Sequence, residues 1–183
     1  ELCKQLVLAD KVPLLKTETK TLAIGTPGIV CCSFTNVAVI NIARNMQGAV
    51  ACKTIHSLLE FMPKQYEIIM EDGTVKNTMR FEPARHRYNT LPSELTTIVI
   101  EEASMVGTAL FNLLLDALPN PSAVQFIILG DINQLPPVYD TAILGYKMLE
   151  LPIIELTEVY RQALNSPIIT LAHKVKNGQQ LCE

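Results

Sequence analysis

Positive charge is in short supply in this 183-residue chain: 15 Lys and Arg face 18 Asp and Glu, for a formal net charge of −3. That balance excludes a globally basic nucleic-acid coat and confines any phosphate binding to a local groove. Long apolar runs are missing too. None reaches the roughly 18 residues of a membrane span, and no basic-then-apolar leader opens the chain, so a soluble, cytoplasmic protein with no membrane partner is expected. The five cysteines, Cys3, Cys31, Cys32, Cys52 and Cys182, lack C-x-x-C spacing and read as free thiols in a reducing compartment. There is no internal repeat and no low-complexity tract. Nor does G-x-x-x-x-G-K-[ST] occur; the nearest glycine pair, Gly25 and Gly28, has no Lys-Ser or Lys-Thr behind it and precedes a strand-like run.

What is present is apolar: 49% of the residues, enough for one domain with a substantial core, with room for a small insertion or the start of a second domain. Leu2, Leu6 and Ala9 recur at helical spacing before Pro13, which predicts an opening helix over 1–12. Residues 16–28 read as a loop and Gly28–Phe34 as a short strand. A helix follows from Thr35 through Val39, Ile42, Ala43 and Met46. A second short helix is expected from Lys53 to Phe61. The runs 66–70 and 74–81 flank Glu71-Asp72-Gly73, whose Asp-Gly pair signals a β-hairpin. Strands at Thr97–Ile100 and Val124–Leu129 enclose a helix near Val106–Leu118. Ser166, Pro167 and Gly178 mark the ends of a last helix whose apolar face holds Ile168, Leu171, Ala172 and Val175. Continuous apolar strands alternating with helices predict an α/β fold with a parallel sheet covered on both faces.

Two strand ends carry groups that a strand has no use for. Thr97-Ile98-Val99-Ile100 runs into Glu101-Glu102-Ala103-Ser104-Met105, placing two carboxylates at the sheet's carboxyl edge, where α/β folds hold their ligands. Nucleotide hydrolysis needs one carboxylate to hold Mg²⁺ and another to orient or deprotonate the attacking water. Ile127-Ile128-Leu129 runs into Gly130-Asp131-Ile132-Asn133-Gln134-Leu135-Pro136-Pro137-Val138, where Gly130 permits a tight turn and the two prolines stiffen the exit.

These two strings, followed by Leu156-Thr157-Glu158-Val159-Tyr160-Arg161-Gln162, resemble motifs II, III and IV of superfamily 1 helicases, in particular the RecD-like and Dda-like 5′-to-3′ branch, over roughly residues 28 to 178. The resemblance implies an incomplete P-loop NTPase fold: a RecA-like parallel sheet with flanking helices and a small β-hairpin insertion. Residues 1–62 and 91–150 would form the first RecA-like domain, 63–90 the inserted pin, and 151–183 the start of the second. It implies an ATP-dependent DNA helicase using ATP and Mg²⁺, with single-stranded DNA as partner. Glu101 would hold Mg²⁺ and nucleotide, Glu102 would activate water, Gln134 would sense the γ-phosphate, and Arg161 would reach that phosphate from the second domain. At the position of Glu101 the family has Asp, so the carboxylate here extends roughly 1.5 Å further, about one carbon–carbon bond.

Ser33-Phe34-Thr35-Asn36-Val37-Ala38-Val39 resembles motif Ia, and Thr54-Ile55-His56-Ser57 the adjoining motif that contacts the single strand. Phe34, Thr35, Asn36, Thr54 and His56 are therefore candidate nucleic-acid contacts, and Phe81 or Tyr66 of the hairpin a candidate base-stacking group. Capping by Thr35 or Asn36 and a structural role for His56 are the plainer readings. In the family the phosphate loop precedes a helix, a connection and the motif Ia strand, the order seen from Glu1 onward. An internal fragment of a longer motor is expected, inactive alone and prone to self-association through exposed sheet surface. A non-catalytic nucleic-acid-binding or scaffold module of the same fold is the alternative.

Overall fold

The computed structural model describes residues 2–9, 11–71, 73–147, 152–156, 167–176 and 178. It divides into two compact units, Glu1–Tyr146 and Lys147–Glu183.

The first unit is organised by four parallel strands in the order β2-β1-β5-β6: β1 (Ile29–Ser33), β2 (Ala51–Thr54), β5 (Thr97–Glu101) and β6 (Gln125–Ile128). β1 and β5 are central and buried throughout apart from the half-buried Glu101, because helices cover both faces. Strand alternation sorts the apolar residues into two layers. Val30, Cys32, Ile98 and Ile100 pack with Leu58, Phe111, Leu114 and Ile143, from α3 (Ile55–Leu58), α4 (Thr108–Asp116) and α5 (Ile143–Lys147). Ile29, Cys31 and Val99 pack with Cys3 of α1 (Leu2–Leu8) and Ile42 of α2 (Asn36–Met46). Cys3, Cys31, Cys32 and Cys52 are free thiols, and burial pushes Cys31 and Cys32 far above the usual thiol range, which leaves them unreactive.

The expected helix over 53–61 is corrected. Ala51–Thr54 is a strand in parallel register with β1, pairing Cys31 with Cys52 and Ser33 with Thr54, and the helix is the single turn α3. Four residues of mixed polarity carry no strand period of their own; pairing with a distant strand decides their state. Most other expected elements are found with shifted ends, and α5 (Ile143–Lys147) was not expected from the sequence. α1 stops at Leu8, well before Pro13, and α4 starts at Thr108.

The hairpin joins β3 (Met62–Ile69) to β4 (Val75–Glu82), with Gly73 at φ 79° in the turn. β3 begins earlier than expected and includes Pro63, which is tolerated because both strands of a two-stranded ribbon are edges. Register pairing puts Lys64, Tyr66 and Ile68 on one face with Glu82, Arg80 and Lys76, and Ile69 on the other with Phe81, Met79 and Val75. Tyr66 and Phe81 thus point to opposite faces.

In the second unit α6 spans Pro167–Lys176, and Gly178 follows with φ 65°. Leu171 and Val175 are exposed. The expected cap Ser166 and the segment Thr157–Gln162, Arg161 included, lie outside the described residues.

Candidate functional site

The carboxyl ends of all four parallel strands contribute side chains to one edge of the sheet. β5 ends at Glu101, which is half-buried, and the chain then reverses through Glu102 in the left-handed region, φ 53° and ψ 44°. For a residue with a Cβ that conformation costs about 1–2 kcal/mol, and surrounding bonds hold it. The Leu129 amide donates to the Ile100 carbonyl at 2.8 Å and the Ala103 amide to the Leu129 carbonyl at 3.0 Å, which ties the turn after β5 to the turn after β6. Gly130 is required there: a Cβ would lie 2.6 Å from Leu144 Cδ1 and 3.0 Å from the Ala103 nitrogen.

Burial, and secondarily the Glu102 carboxylate, raises the Glu101 pKa above its ordinary value. The pair is thus a place where negative charge is costly and a cation is favoured. Ser33 stands in register with Glu101 on β1, fully buried, and its hydroxyl has no partner; the Ser104 hydroxyl just beyond Glu102 is likewise buried and unpartnered. Ser33 carries no signal in the sequence beyond its place in motif Ia.

Beyond Gly130 the Asp131 carboxylate accepts from the Asn133 amide at 2.9 Å, and the Gln134 amide donates to the Asp131 carbonyl at 3.0 Å. This folded turn leaves Gln134 and Leu135 exposed. The loop is clamped again at Asp140, which caps α4 from outside the helix: it accepts from Thr108 Oγ1 and the Ala109 amide, both at 2.9 Å, and from the Thr141 amide at 2.7 Å. Gly107 makes the room, since a Cβ there would lie 2.0 Å from Asp140 Oδ2. The three amide and hydroxyl donors hold the Asp140 carboxyl below its ordinary pKa. Sequence reading missed Asp140 because its helix lies about thirty positions upstream in the chain, beyond any local capping pattern.

Beside the α4 cap a cavity of about 320 Å³ is lined by Phe34, His56, Phe61, Met105, Leu110, Pro137 and Val138, with Asp140 at its wall. Phe34 and Phe61 approach the His56 ring edge-on, at centroid distances of 5.5 and 4.9 Å. Burial lowers the His56 pKa, keeping the imidazole neutral at pH 7. Thr35 caps α2 by accepting from the Ala38 amide at 3.3 Å, and Thr54 caps α3 by accepting from the Ser57 amide at 3.0 Å. Each hydroxyl keeps its own proton free to donate. Asn36 is exposed at the first position of α2.

The structure therefore gathers Glu101, Glu102 and the Gly130 turn at one point of the edge, and Phe34, His56 and the Pro137–Val138 exit at another. Phe81, 68% exposed, stands on the hairpin. Among the described residues no cluster of three His, Cys, Asp or Glu side chains forms a protein-only metal cage, and no helix is long and apolar enough to cross a membrane.

Residues 4–140 match the AAA domain family. The chain is 40% identical over 112 residues to the ATP-dependent RecD2 DNA helicase of Deinococcus radiodurans, an alignment that takes in 58% of this chain and 15% of that protein. It also shares its fold with the crystal structure of Bacteroides Pif1 bound to single-stranded DNA, at a TM-score of 0.50 and 20% identity, covering 98% of this chain and 40% of that one. The chain thus spans well under half the length of the proteins it resembles.

Proposed function

Because the chain belongs to the AAA domain family, we propose that it is part of an ATP-dependent DNA helicase, carrying some of the residues that hydrolyse ATP and grip single-stranded DNA and inactive by itself. The observation that carries this reading is the carboxylate pair at the end of central strand β5, tied through backbone bonds to the glycine turn after β6. The 40% identity to a DNA helicase supports it.

In this reading Glu102 orients and deprotonates the attacking water, from a left-handed backbone position at which the chain reverses after β5. Glu101 holds Mg²⁺, and the local donors fit that ion: Glu101, Glu102 and the unpartnered Ser33 hydroxyl are all oxygens, the hard donor set Mg²⁺ takes while keeping water and phosphate ligands. When bound, the ion neutralises charge on the phosphate oxygens. Gln134, exposed on its folded turn, donates to and accepts from the γ-phosphate region, and Arg161 completes the site with a guanidinium fork. Residues 1–62 and 91–150 belong to the first RecA-like domain, 63–90 to the inserted hairpin, and 151–183 to the start of the second.

The cavity-lining Phe34 and His56, the capping hydroxyls of Thr35 and Thr54, Asn36 and the hairpin's Phe81 contact the strand through stacking and phosphate hydrogen bonds. Few of these groups can read a base edge, so binding is sequence-tolerant. The protein works in the cytoplasm, and β6, which among the described residues pairs with β5 alone, offers an edge for self-association.

In the full-length protein Glu102→Gln should lower single-stranded-DNA-stimulated ATP hydrolysis by about 10² to 10⁴-fold, the range for loss of a general base, while ATP binding measured by fluorescent-analogue titration stays within about twofold. Retention of turnover in this variant would overturn the assignment.

A further inference from the structure

The hairpin touches itself and little else. Its two strands hold each other through their side chains: Lys64 pairs with Glu82 at 2.9 Å, Tyr66 donates to Glu82, and Arg80 lies 5.9 Å over the Tyr66 ring. Every residue of β3 after Met62 is exposed. At about 3.3 Å of rise per residue its eight-residue strands reach roughly 25 Å, so a rotation of about 10° at the root moves the tip by roughly 4 Å. The root alone decides where the tip is.

That root is built around a buried ion pair. Glu60 precedes β3 and Arg85 follows β4; they meet at 3.0 Å with side chains only 4% and 14% exposed. Glu60 sits in the left-handed region, φ 53°, which turns its carboxylate inward, where it also accepts from the Lys20 amide at 2.8 Å. Arg85 spreads its fork over the returning chain: Nη1 donates to the Thr90 carbonyl at 3.1 Å and to Asn89 Oδ1 at 3.3 Å. The Ala84 and Arg85 amides both donate to the Leu59 carbonyl at 3.1 Å, and Asn89 Nδ2 donates to the Ala84 carbonyl at 2.8 Å. One carboxylate and one guanidinium thus join both legs of the hairpin to a third segment, the loop at Lys20. Stability does not account for the arrangement, since apolar packing of equal volume does as well as a buried pair and Arg85 Nε is left buried without a partner. Direction does: charge-assisted bonds from a planar fork fix an angle in a way that apolar contact cannot.

We propose that Glu60 and Arg85 are positioning residues that set the angle at which the hairpin leaves the sheet, and so place Phe81 for contact with a nucleic-acid strand. The second clause rests on the nucleic-acid reading above; the first stands on the root geometry.

Two measurements on the full-length protein separate them. Nitroxides carried on noncanonical residues at Lys76 of β4 and Asn45 of α2 report the hairpin angle as a distance distribution by double electron–electron resonance. The unsubstituted protein should give one narrow peak, and Glu60→Gln and Arg85→Lys should each broaden it at least about twofold, since each removes direction from bonds that are charge-assisted or forked. Arg85→Lys keeps the charge and is decisive if Glu60→Gln fails to fold. Affinity for a labelled single-stranded oligonucleotide supplies the second readout. Phe81→Ala should weaken binding about tenfold, in the range for loss of one stacked base, and in the Glu60→Gln or Arg85→Lys background the same change should cost less than about twofold. A merely structural pair would lower the melting temperature and leave the Phe81 effect intact. A narrow, unmoved distance peak in both variants overturns the positioning role. Broadened peaks with no Phe81 effect even in the unsubstituted protein would sustain that role and overturn the nucleic-acid reading of Phe81.

Discussion

Strands β5 and β4 carry similar materials to opposite ends. The Ile98–Ile100 stretch of β5 is apolar without a break and is buried between helices; Val75–Glu82 mixes apolar and polar residues, and most of it is exposed. Alternation says which side chains share a face, but it does not supply a layer to cover that face. The apolar side of the hairpin, with Phe81, Met79, Val75 and Ile69, stays in solvent. In β5 the side chains before Glu101 are buried among neighbours, whereas in β4 the neighbours are mostly other hairpin residues. The two regions should therefore respond to truncation on different scales.

The sharpest break falls in the layer that covers β5. Leu114→Ala empties a fully buried position between α4 and the sheet and should cost about 2–5 kcal/mol, read as lost amide protection across β5 by hydrogen–deuterium exchange. Gly107→Ala acts at the edge of the same region. The new methyl would occupy the place of Asp140 Oδ2, so the cap leaves α4, at a cost of about 1–2 kcal/mol for a lost N-terminal cap; exchange should rise in the first turn of α4 and in 139–142 while β1 stays protected. Protection loss spreading evenly over the sheet would show that the clamp is not local. The smallest effect belongs to the hairpin: Met79→Ala, at a position 64% exposed, should change unfolding by less than about 0.5 kcal/mol. A larger loss would mean that another part of the protein covers this face.

How much of this was legible depends on the range of the forces involved. β1, β5 and β6 announce themselves through runs such as Thr97-Ile98-Val99-Ile100, because burial on both faces demands apolar residues at every position. The hairpin is visible through Asp72-Gly73, and the α2 cap through Thr35, since both are settled within a few residues. β2 was hidden: Ala51–Thr54 becomes a strand only by lying beside β1. The same reason hid Asp140, whose donors lie at Thr108 and Ala109, and the Glu60–Arg85 pair, which closes 25 residues of chain. The Glu101-Glu102 pair was legible as chemistry at a strand end, while the left-handed turn at Glu102 appears only in three dimensions.

The position of the hairpin within the chain bears on how such a fold assembles. The central pairing of β1 with β5 must close a long loop; the Gly28 carbonyl meets Thr96, 68 residues away, and contacts of that separation make a sheet slow to fold. The hairpin lies inside that loop and forms locally, on a scale of about 1–10 μs, drawing Met62 and Glu82 together. Closure entropy grows only with the logarithm of loop length, so removing the stretch between those two residues relieves about 0.3 kcal/mol of the closing cost. The converse is equally true: lengthening or deleting this arm changes the entropy of closing the sheet very little. The site is one where whole modules can be exchanged over evolutionary time without slowing the assembly of the parallel sheet.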